Sequence, residues 1–248
     1  GDVYKRQEHA GRTGGLPFVG VGWYRTEFDV PQFQAGKRAT ILFDGAMSHA
    51  NVYINGQKVG YWPYGYNSFH FDITKYLKPG EKNTLAVRLE NLPESSRWYP
   101  GAGLYRNVHL IITEDAYIPV WGTYITTPSV NEKFAKVNVR TKVVLPEGAD
   151  PAKYSVETSV WNPNKQKLTA VRTSLAQMKY NNNQAEQEFV IQAPSLWSPE
   201  MPALYSAETR LYEGDKLKDI YTTPFGIRSI EIIPDKGFFL NGKRTVFK

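Results

Sequence analysis

Cysteine is absent from the 248-residue sequence, and histidine is scarce and scattered, at positions 9, 49, 70 and 109. Without cysteine the chain has no disulfide, no thiol nucleophile and no cysteine-based metal site. The histidines form no i, i+4 pair and accompany no cluster of acidic residues. We therefore predict neither a metal nor a cofactor in this chain.

Long apolar runs are also lacking. No stretch approaches the roughly 18 apolar residues of a membrane span, and the amino end shows no signal-peptide pattern. We expect no membrane partner. A periplasmic and a cytoplasmic bacterial location both stay open.

The positive charge of the chain is dispersed. The formal net charge is +6 at pH 7, yet the sequence has no block of about five lysines and arginines. The basic residues alternate with apolar ones, which is typical of the solvated face of a β-sheet. This pattern argues against nucleic acid as a partner.

The sequence carries no recognisable catalytic constellation. It has no G-x-S-x-G nucleophile motif and no glycine-rich loop that opens a helix. Glycoside hydrolysis needs two carboxyl groups about 5–10 Å apart. The candidate pairs are Glu27/Asp29, Glu90/Glu94, Glu114/Asp115 and Glu186/Glu188. We interpret them as ordinary surface charges, because sheet edges and outer faces carry such pairs routinely.

Apolar and polar residues alternate in many short segments, and helical periodicity is missing. In residues 21–30 apolar side chains recur at every second position, which predicts a half-buried strand. Asn55-Gly56 predicts a hairpin, because a type I′ turn needs positive φ at both central positions. Residues 20–118 are therefore predicted to form one all-β sandwich.

A seam near residues 114–118 precedes a second set of strands with different spacing. Some seven short strands, with turn signals about every 8–12 residues, predict an immunoglobulin-like sandwich over residues 119–228. Residues 229–248 contain another Asn-Gly turn signal and end on an apolar-basic run without a partner strand. We interpret the chain as a fragment. Residues 1–19 are irregular, and the first seven are a linker or not native.

Residues 91–107 form the most distinctive connector between two predicted strands. It is rich in rings and cations, and its central residues are Arg97, Trp98 and Tyr99. Loops of this composition on a rigid β scaffold often carry binding sites. The alternative is that the rings only plug the open end of the sandwich, since buried aromatics are common.

Seven segments, in order along nearly the whole chain, resemble the amino-terminal, non-catalytic part of glycoside hydrolase family 2. They are GVGWYRTEF (20–28), LFDGAMSHANVYINGQKVG (42–60), YGYNSFHFDITKYLKPGEKNTLAVRLEN (64–91), RWYPGAGLYRNVHL (97–110), LWSPEMPALY (196–205), FGIRSIE (225–231) and GFFLNGK (237–243). The usual first strand of the family is not recognisable in residues 1–19.

The resemblance implies an all-β fold: a jelly-roll, galactose-binding-like sandwich, an immunoglobulin-like sandwich, and then the first hairpin of a (β/α) barrel. In the family the acid/base and nucleophile glutamates lie in that barrel, so this chain is expected to be inactive alone. The implied parent is an exo-acting β-galactosidase that acts on a carbohydrate substrate, with its own barrel and a second copy of itself as possible partners. A β-glucuronidase or β-mannosidase parent and a free-standing carbohydrate-binding module are the alternatives.

The resemblance also suggests roles for individual residues. Arg97, Trp98 and Tyr99 match a loop that can help shape the substrate subsite. Other motif residues are interpreted as structural, pinning strands, forming a turn or closing the second sandwich. These are Trp23, Tyr24, Arg25, Asn55, Gly56, Arg106 and Trp197.

Overall fold

The chain divides into two compact units, Gly1–Thr113 and Glu114–Lys248. The computed structural model describes residues 20–32, 36–92, 102–177 and 184–246. The helices in this part of the chain are single turns of three residues, and none is long or apolar enough to cross a membrane. Within the same residues, no group of three or more His, Cys, Asp or Glu side chains could hold a metal ion.

Unit 1 is a β-sandwich of seven strands among its described residues. They are β1 (Gly20–Asp29), β2 (Arg38–Phe43), β3 (Ala50–Ile54), β4 (Gln57–Trp62), β5 (Phe69–Asp72), β6 (Lys82–Asn91) and β7 (Val108–Thr113). One sheet has the order β1-β6-β3-β4 and the other the order β5-β2-β7, with antiparallel pairing throughout.

The core of unit 1 follows from the alternation of its strands. On β6, every second residue from Asn83 to Asn91 is buried, because successive side chains point to opposite faces of a sheet. Residues from both sheets, among them Phe43, Val52 and Val87, share one apolar cluster. The predicted sandwich is confirmed.

Among its described residues, unit 2 contains seven strands of an immunoglobulin-like sandwich and a short terminal sheet. The sandwich strands are β8 (Thr123–Val130), β9 (Phe134–Lys142), β10 (Tyr154–Trp161), β11 (Lys167–Ser174), β12 (Gln184–Gln192), β13 (Tyr205–Glu213) and β14 (Lys216–Phe225). Their orders are β11-β10-β13-β14 and β12-β9-β8. The terminal sheet pairs β15 (Ile230–Ile233), β16 (Gly237–Leu240) and β17 (Lys243–Arg244).

A layer of buried polar side chains divides the interior of this second sandwich. Thr141, Thr158, Gln187 and Thr209 each occupy an inward position between residues of two separate apolar clusters. The hydroxyls of Thr158 and Thr209 lie 3.2 Å apart. The Gln187 amide on β12 donates to the backbone carbonyls of the facing strands β10 and β11, at 3.1 and 2.8 Å. This layer joins the two sheets by hydrogen bonds as well as by apolar contact.

Candidate functional site

Three connections of unit 1 meet beyond the same strand ends. They are residues 44–49 between β2 and β3, residues 63–68 between β4 and β5, and the described part of the connection between β6 and β7, which is residue 92 and residues 102–107. Backbone bonds join them: Asp44 N–H donates to the Asn107 carbonyl at 3.0 Å, and His49 N–H to the Pro63 carbonyl at 3.1 Å. We call these three connections the loop end.

The connection between β6 and β7 is anchored on both sides to residues 44–49. Where it begins, Glu90 N–H donates to the Ser48 carbonyl at 2.9 Å, and the Ser48 hydroxyl donates to the Glu90 carbonyl at 2.9 Å. Where it returns, Met47 and Gly103 exchange two backbone bonds of 3.0 Å each. Both flanks of this connection are therefore hydrogen-bonded to residues 44–49.

Gly103 occupies a position that only glycine fills without strain. Its φ is +109°, and a methyl group there would lie 2.5 Å from the Tyr24 hydroxyl oxygen. Beside this contact is a cavity of about 20 Å³ lined by Tyr24, Met47 and Leu89, enough for about one water molecule. The cavity is far too small for a sugar ring, so any ligand of the loop end has to bind outside it.

Asp44 ties the three connections together. Its backbone carbonyl accepts hydrogen bonds from the Ser68 hydroxyl at 3.1 Å and from the Arg106 guanidinium at 3.4 Å. Its carboxylate lies 2.9 Å from Nε2 of His109 on β7. One residue thus contacts all of the elements that converge here.

Aromatic side chains surround this centre. The Tyr105 hydroxyl donates to the Gly65 carbonyl at 2.8 Å, and the Arg106 guanidinium lies 5.2 Å from the centre of the Tyr105 ring. Tyr64 and Tyr66 are about half exposed and meet edge to face at 5.6 Å. Rings of this kind offer apolar area together with polar edges, which suits the binding of an amphipathic ligand.

The carboxylates described at and beside the loop end each have a side-chain partner. The Asp44 carboxylate contacts the His109 imidazole, and Glu90, near the end of β6, forms an ion pair with Arg88. The hydrogen bond from Arg88 holds the pKa of Glu90 below its ordinary value, so this group stays ionised at neutral pH. Both described carboxylates are thus engaged by neighbouring side chains, unlike a pair of carboxyl groups poised for acid and base catalysis.

Comparison with known proteins identifies the family. The model for the sugar binding domain of glycosyl hydrolases family 2 matches residues 17–114, and a second model of the same family matches residues 117–228. The chain belongs to glycosyl hydrolase family 2. It is an amino-terminal portion of such a protein.

Curated relatives carry two different activities in their names. The β-galactosidase BoGH2A of Bacteroides ovatus is 39% identical over 98% of this chain, which spans 28% of that protein. A β-glucuronidase of Bacteroides fragilis is 34% identical over 90% of this chain and 34% of its own length. The family 2 chain thus spans roughly a third or less of these relatives.

Solved structures share the fold. A family 2 member from Bacteroides cellulosilyticus matches with a TM-score of 0.81 and 34% identity, covering 91% of this chain and 29% of that one. A β-glucuronidase of Bacteroides uniformis matches with a TM-score of 0.75 and 29% identity, covering 91% and 28%. The jelly-roll and immunoglobulin-like architecture expected from the sequence is confirmed.

The residues predicted to lie nearest the substrate fall outside the described part of the family 2 chain. Arg97, Trp98 and Tyr99 belong to residues 93–101, between the two anchors. Their role stays a prediction. The hydrogen-bonded anchors that flank these residues, Ser48–Glu90 and Met47–Gly103, belong to the described part of the chain.

The predicted structural residues of unit 1 occupy distinct places. Tyr24 packs on the core and against Gly103. Trp23 and Arg25 point to the opposite, exposed face of β1, where the Trp23 ring lies 5.6 Å from that of Tyr53. Arg106 contacts the Asp44 carbonyl and the Tyr105 ring.

The two Asn-Gly turns do more than reverse the chain. Asn55 and Gly56 have φ values of 50° and 81°, as the predicted turn requires. The Asn55 side chain also donates to the Tyr76 carbonyl and accepts from Thr84 N–H, each at 2.9 Å. Asn241 acts similarly in unit 2.

Trp197 and Asn241 join the terminal sheet to the second sandwich. The Asn241 amide donates to the Trp197 carbonyl at 3.0 Å and accepts from Ser229 N–H at 3.0 Å. The Trp197 ring packs against Gly226, with the Arg228 guanidinium 4.9 Å from its centre. From the sequence, Asn241 is recognisable only as a turn residue, because side-chain bonds across about 40 residues leave no local signal.

The candidate carboxyl pairs lie beside cations where they are described. Glu27 is 3.9 Å from Lys82, and Glu188 is 3.5 Å from Lys136. Asp115 is 2.9 Å from Lys218. Glu94 lies outside the described residues. Ion pairs of this kind are ordinary on sheet surfaces and edges.

Proposed function

We propose that the complete protein is an exo-acting β-glycosidase, a β-galactosidase that uses a retaining two-carboxylate mechanism. Both catalytic carboxylates would lie outside these 248 residues. Family membership supports a glycoside as the substrate, and the 39% identity with a β-galactosidase favours galactose. The contacts of Asp44 with His109 and of Glu90 with Arg88 are in keeping with a supporting rather than a catalytic role for unit 1.

One observation carries the role proposed for this portion: both sides of the connection between β6 and β7 are fixed to residues 44–49. A loop with two fixed ends can present side chains to a ligand at low conformational cost. We assign Arg97, Trp98 and Tyr99 to the rim of the substrate subsite, with the rings contacting the sugar and the guanidinium donating hydrogen bonds to it.

A β-glucuronidase is the second candidate, because a relative of that name is 34% identical. The two sugars differ in the configuration at C4 and at C6, where the glucuronide carries a carboxylate in place of the hydroxymethyl group. An active site for glucuronides needs a cation to match that charge. The sugar specificity of the complete protein therefore separates the two candidates directly.

The decisive experiment compares two proteins, the 248-residue chain and the product of the complete gene, on chromogenic aryl β-glycosides. We expect only the longer protein to turn over, with the galactoside as the best substrate. Preference for the glucuronide would replace the first candidate by the second. Turnover by the 248-residue chain would contradict the assignment of catalysis to residues beyond it.

The role of the loop is tested in the longer protein with Trp98→Ala and Arg97→Ala. Loss of a contact to the substrate should reduce kcat/KM by about tenfold or more while the melting temperature stays unchanged. Trp121→Ala is the matched control, since Trp121 is an exposed indole in unit 2. Equal effects of the Trp98 and Trp121 substitutions would contradict a specific role for the loop.

A further inference from the structure

The outer face of the β1-β6-β3-β4 sheet carries a cluster of aromatic side chains that the core does not use. Trp23 on β1 is 59% exposed and Tyr61 on β4 is 46% exposed, while Tyr53 on β3 is half-buried between them. The rings of Trp23 and Tyr53 lie 5.6 Å apart, at 37° to each other. Together with Asn51, Arg88 and Glu90 we call this surface the aromatic face.

The strand register explains how rings from two non-adjacent strands meet. Trp23 on β1 lies opposite Arg88 on β6. Two residues earlier on β6, and on the same face of the sheet, Ala86 lies opposite Tyr53 on β3. Strands β1 and β3 are two strand spacings apart, roughly 10 Å. Because Ala86 carries only a methyl group, the two rings can approach each other above β6. The result is a broad apolar plate in the middle of the sheet.

Polar groups line the same face directly beside the plate. Arg88 and Glu90 form an ion pair whose side chains are 28% and 27% exposed. Asn51, in the same row as Arg88, donates to the His49 carbonyl at 3.1 Å, and His49 Nδ1 lies 2.6 Å from the Tyr61 hydroxyl. Fixed donors and acceptors thus stand next to the rings, and the charges of Arg88 and Glu90 compensate each other.

This combination fits one class of ligand. A pyranose ring has an apolar C–H surface and an edge of hydroxyl groups that both donate and accept hydrogen bonds. The apolar surface matches the plate, and the edge matches a guanidinium, a carboxylate and an amide. The ion pair of Arg88 and Glu90 can bond to hydroxyl groups without requiring a charge on the ligand. Arg25 and Lys58, in the row of Tyr53, are exposed to solvent at the margin of the face.

We propose that the aromatic face binds a pyranose unit of a neutral glycan, which stacks on Trp23 and Tyr53 and bonds through its hydroxyls to Arg88, Glu90 and Asn51. This site is distinct from the rim assigned to Arg97, Trp98 and Tyr99. It would hold a polysaccharide chain on the protein without taking part in hydrolysis. The proposal does not depend on which glycoside the complete protein cleaves.

The test is affinity gel electrophoresis of the 248-residue chain in gels that contain soluble galactan, glucomannan or arabinoxylan. We expect at least one of these polysaccharides to retard the chain. Trp23→Ala should weaken the interaction by about tenfold or more, as loss of a stacking aromatic anchor does. Ala86→Leu, which fills the space between the rings without removing either, should weaken it as well.

Trp121→Ala is the matched control, because Trp121 is 55% exposed but belongs to unit 2. It should leave the retardation unchanged. Circular dichroism establishes that each variant is folded, and Trp23→Phe replaces Trp23→Ala if the latter is not. Since binding is measured without turnover, this result stands apart from the glycosidase assay.

Three outcomes would overturn the proposal. The first is normal migration of the chain in all three polysaccharides. The second is equal retardation of the parent chain, Trp23→Ala and Ala86→Leu. The third is a change in self-association, seen by light scattering of Trp23→Ala, without any change in retardation, which would make the face a contact between copies of the chain.

Discussion

Asn55 donates a hydrogen bond of 2.8 Å from its side-chain amide to the side-chain oxygen of Asn83, 28 residues away. Asn83 is fully buried in the core-facing row of β6. Its oxygen also accepts from Lys78 N–H at 2.8 Å, and its amide donates to the carbonyls of Lys78 and Glu81. One buried amide therefore joins a hairpin turn to the segment that precedes β6.

The first prediction concerns this amide. Asn83→Ala should lower the free energy of unfolding of unit 1 by about 3 kcal/mol or more, because it leaves several buried polar groups without partners. Urea unfolding of the chain measures the change. Asn83→Asp keeps an oxygen acceptor but places a buried carboxylate against the carbonyls of Lys78 and Glu81, so at pH 7 it should be at least as destabilising as Asn83→Ala. Equal stability of Asn83→Ala and the parent would refute this account.

The second prediction separates turn conformation from side-chain bonding at Asn55. Glycine tolerates the φ of 50°, so Asn55→Gly removes only the side-chain bonds. Alanine removes them and adds about 1 kcal/mol of strain at positive φ. We expect Asn55→Ala to be the less stable of the two in urea. The reverse order would mean that the turn geometry is not limiting.

The third prediction tests the contact between Tyr24 and Gly103. A methyl group at position 103 meets both an unfavourable φ and the tyrosine hydroxyl. Gly103→Ala should therefore lower the melting temperature, and adding Tyr24→Phe should restore part of the loss. A double-mutant cycle gives the interaction directly. Strict additivity of the two substitutions would show that the hydroxyl is not the obstacle.

The fourth prediction concerns an ion pair of unit 2. The side chain of Lys218 is 7% exposed and lies 2.9 Å from Asp115 and 3.5 Å from Glu213. Lys218→Met should cost about 1–2 kcal/mol, less than for a fully buried pair, because both carboxylates are 40% exposed. Urea unfolding at pH 7 measures it. Lys136→Met, in an exposed pair with Glu188, is the control and should change little.

Lys218→Met should also change how the free energy of unfolding depends on pH. The hydrogen bond from Lys218 lowers the pKa of Asp115, so its contribution to stability is present above the unfolded pKa of about 3.9 and is lost as the pH falls through the folded value. Lys218→Met should flatten this acid loss. Asp219 has the opposite effect on the pH dependence of stability. Burial raises its pKa, so its contribution to stability is lost as the pH rises. The Asp219 effect is common to the parent chain and Lys218→Met, so it cancels when their curves of unfolding free energy against pH are subtracted. Identical curves would contradict the assignment of the acid loss to the contact between Lys218 and Asp115.

The fifth prediction concerns the terminal sheet of unit 2. Asn241→Gly keeps the turn at φ 51° but removes the side-chain bonds to Ser229 and Trp197. Hydrogen exchange should become faster in β15–β17 and stay unchanged in β9 and β12. Faster exchange in all strands alike would indicate a global loss of stability instead.

The sequence predicted those elements whose signal is local. Alternation predicted the strand over residues 21–30, which the structure shows as β1, and Asn-Gly predicted the turn at residues 55–56 from its need for positive φ. Strand β8 was not apparent, since it is an edge strand with Pro128, irregular pairing and no alternation in burial. Strand order was also beyond reach, because it depends on contacts between distant residues.

The loop end shows the same division. Its composition of aromatic and cationic residues predicted a binding loop at residues 91–107. The Tyr24–Gly103 contact connects two of the sequence motifs, residues 20–28 and 97–110. Asp44, which contacts Ser68, Arg106 and His109, gave no signal. A carboxylate between two strands looks like any other surface charge until folding assembles its partners.

The polar layer inside the second sandwich has a consequence for how uniquely that sandwich can be assembled. Apolar side chains alone would tolerate one sheet sliding along the other, since valine and isoleucine replace each other with little penalty. Sliding one sheet by two residues would instead place Gln187 against an apolar neighbour. Its buried amide would then lack hydrogen-bond acceptors, at a cost of about 1–3 kcal/mol. The hydrogen bonds of Gln187 to the opposite sheet therefore favour one relative position of the two sheets and penalise the neighbouring ones.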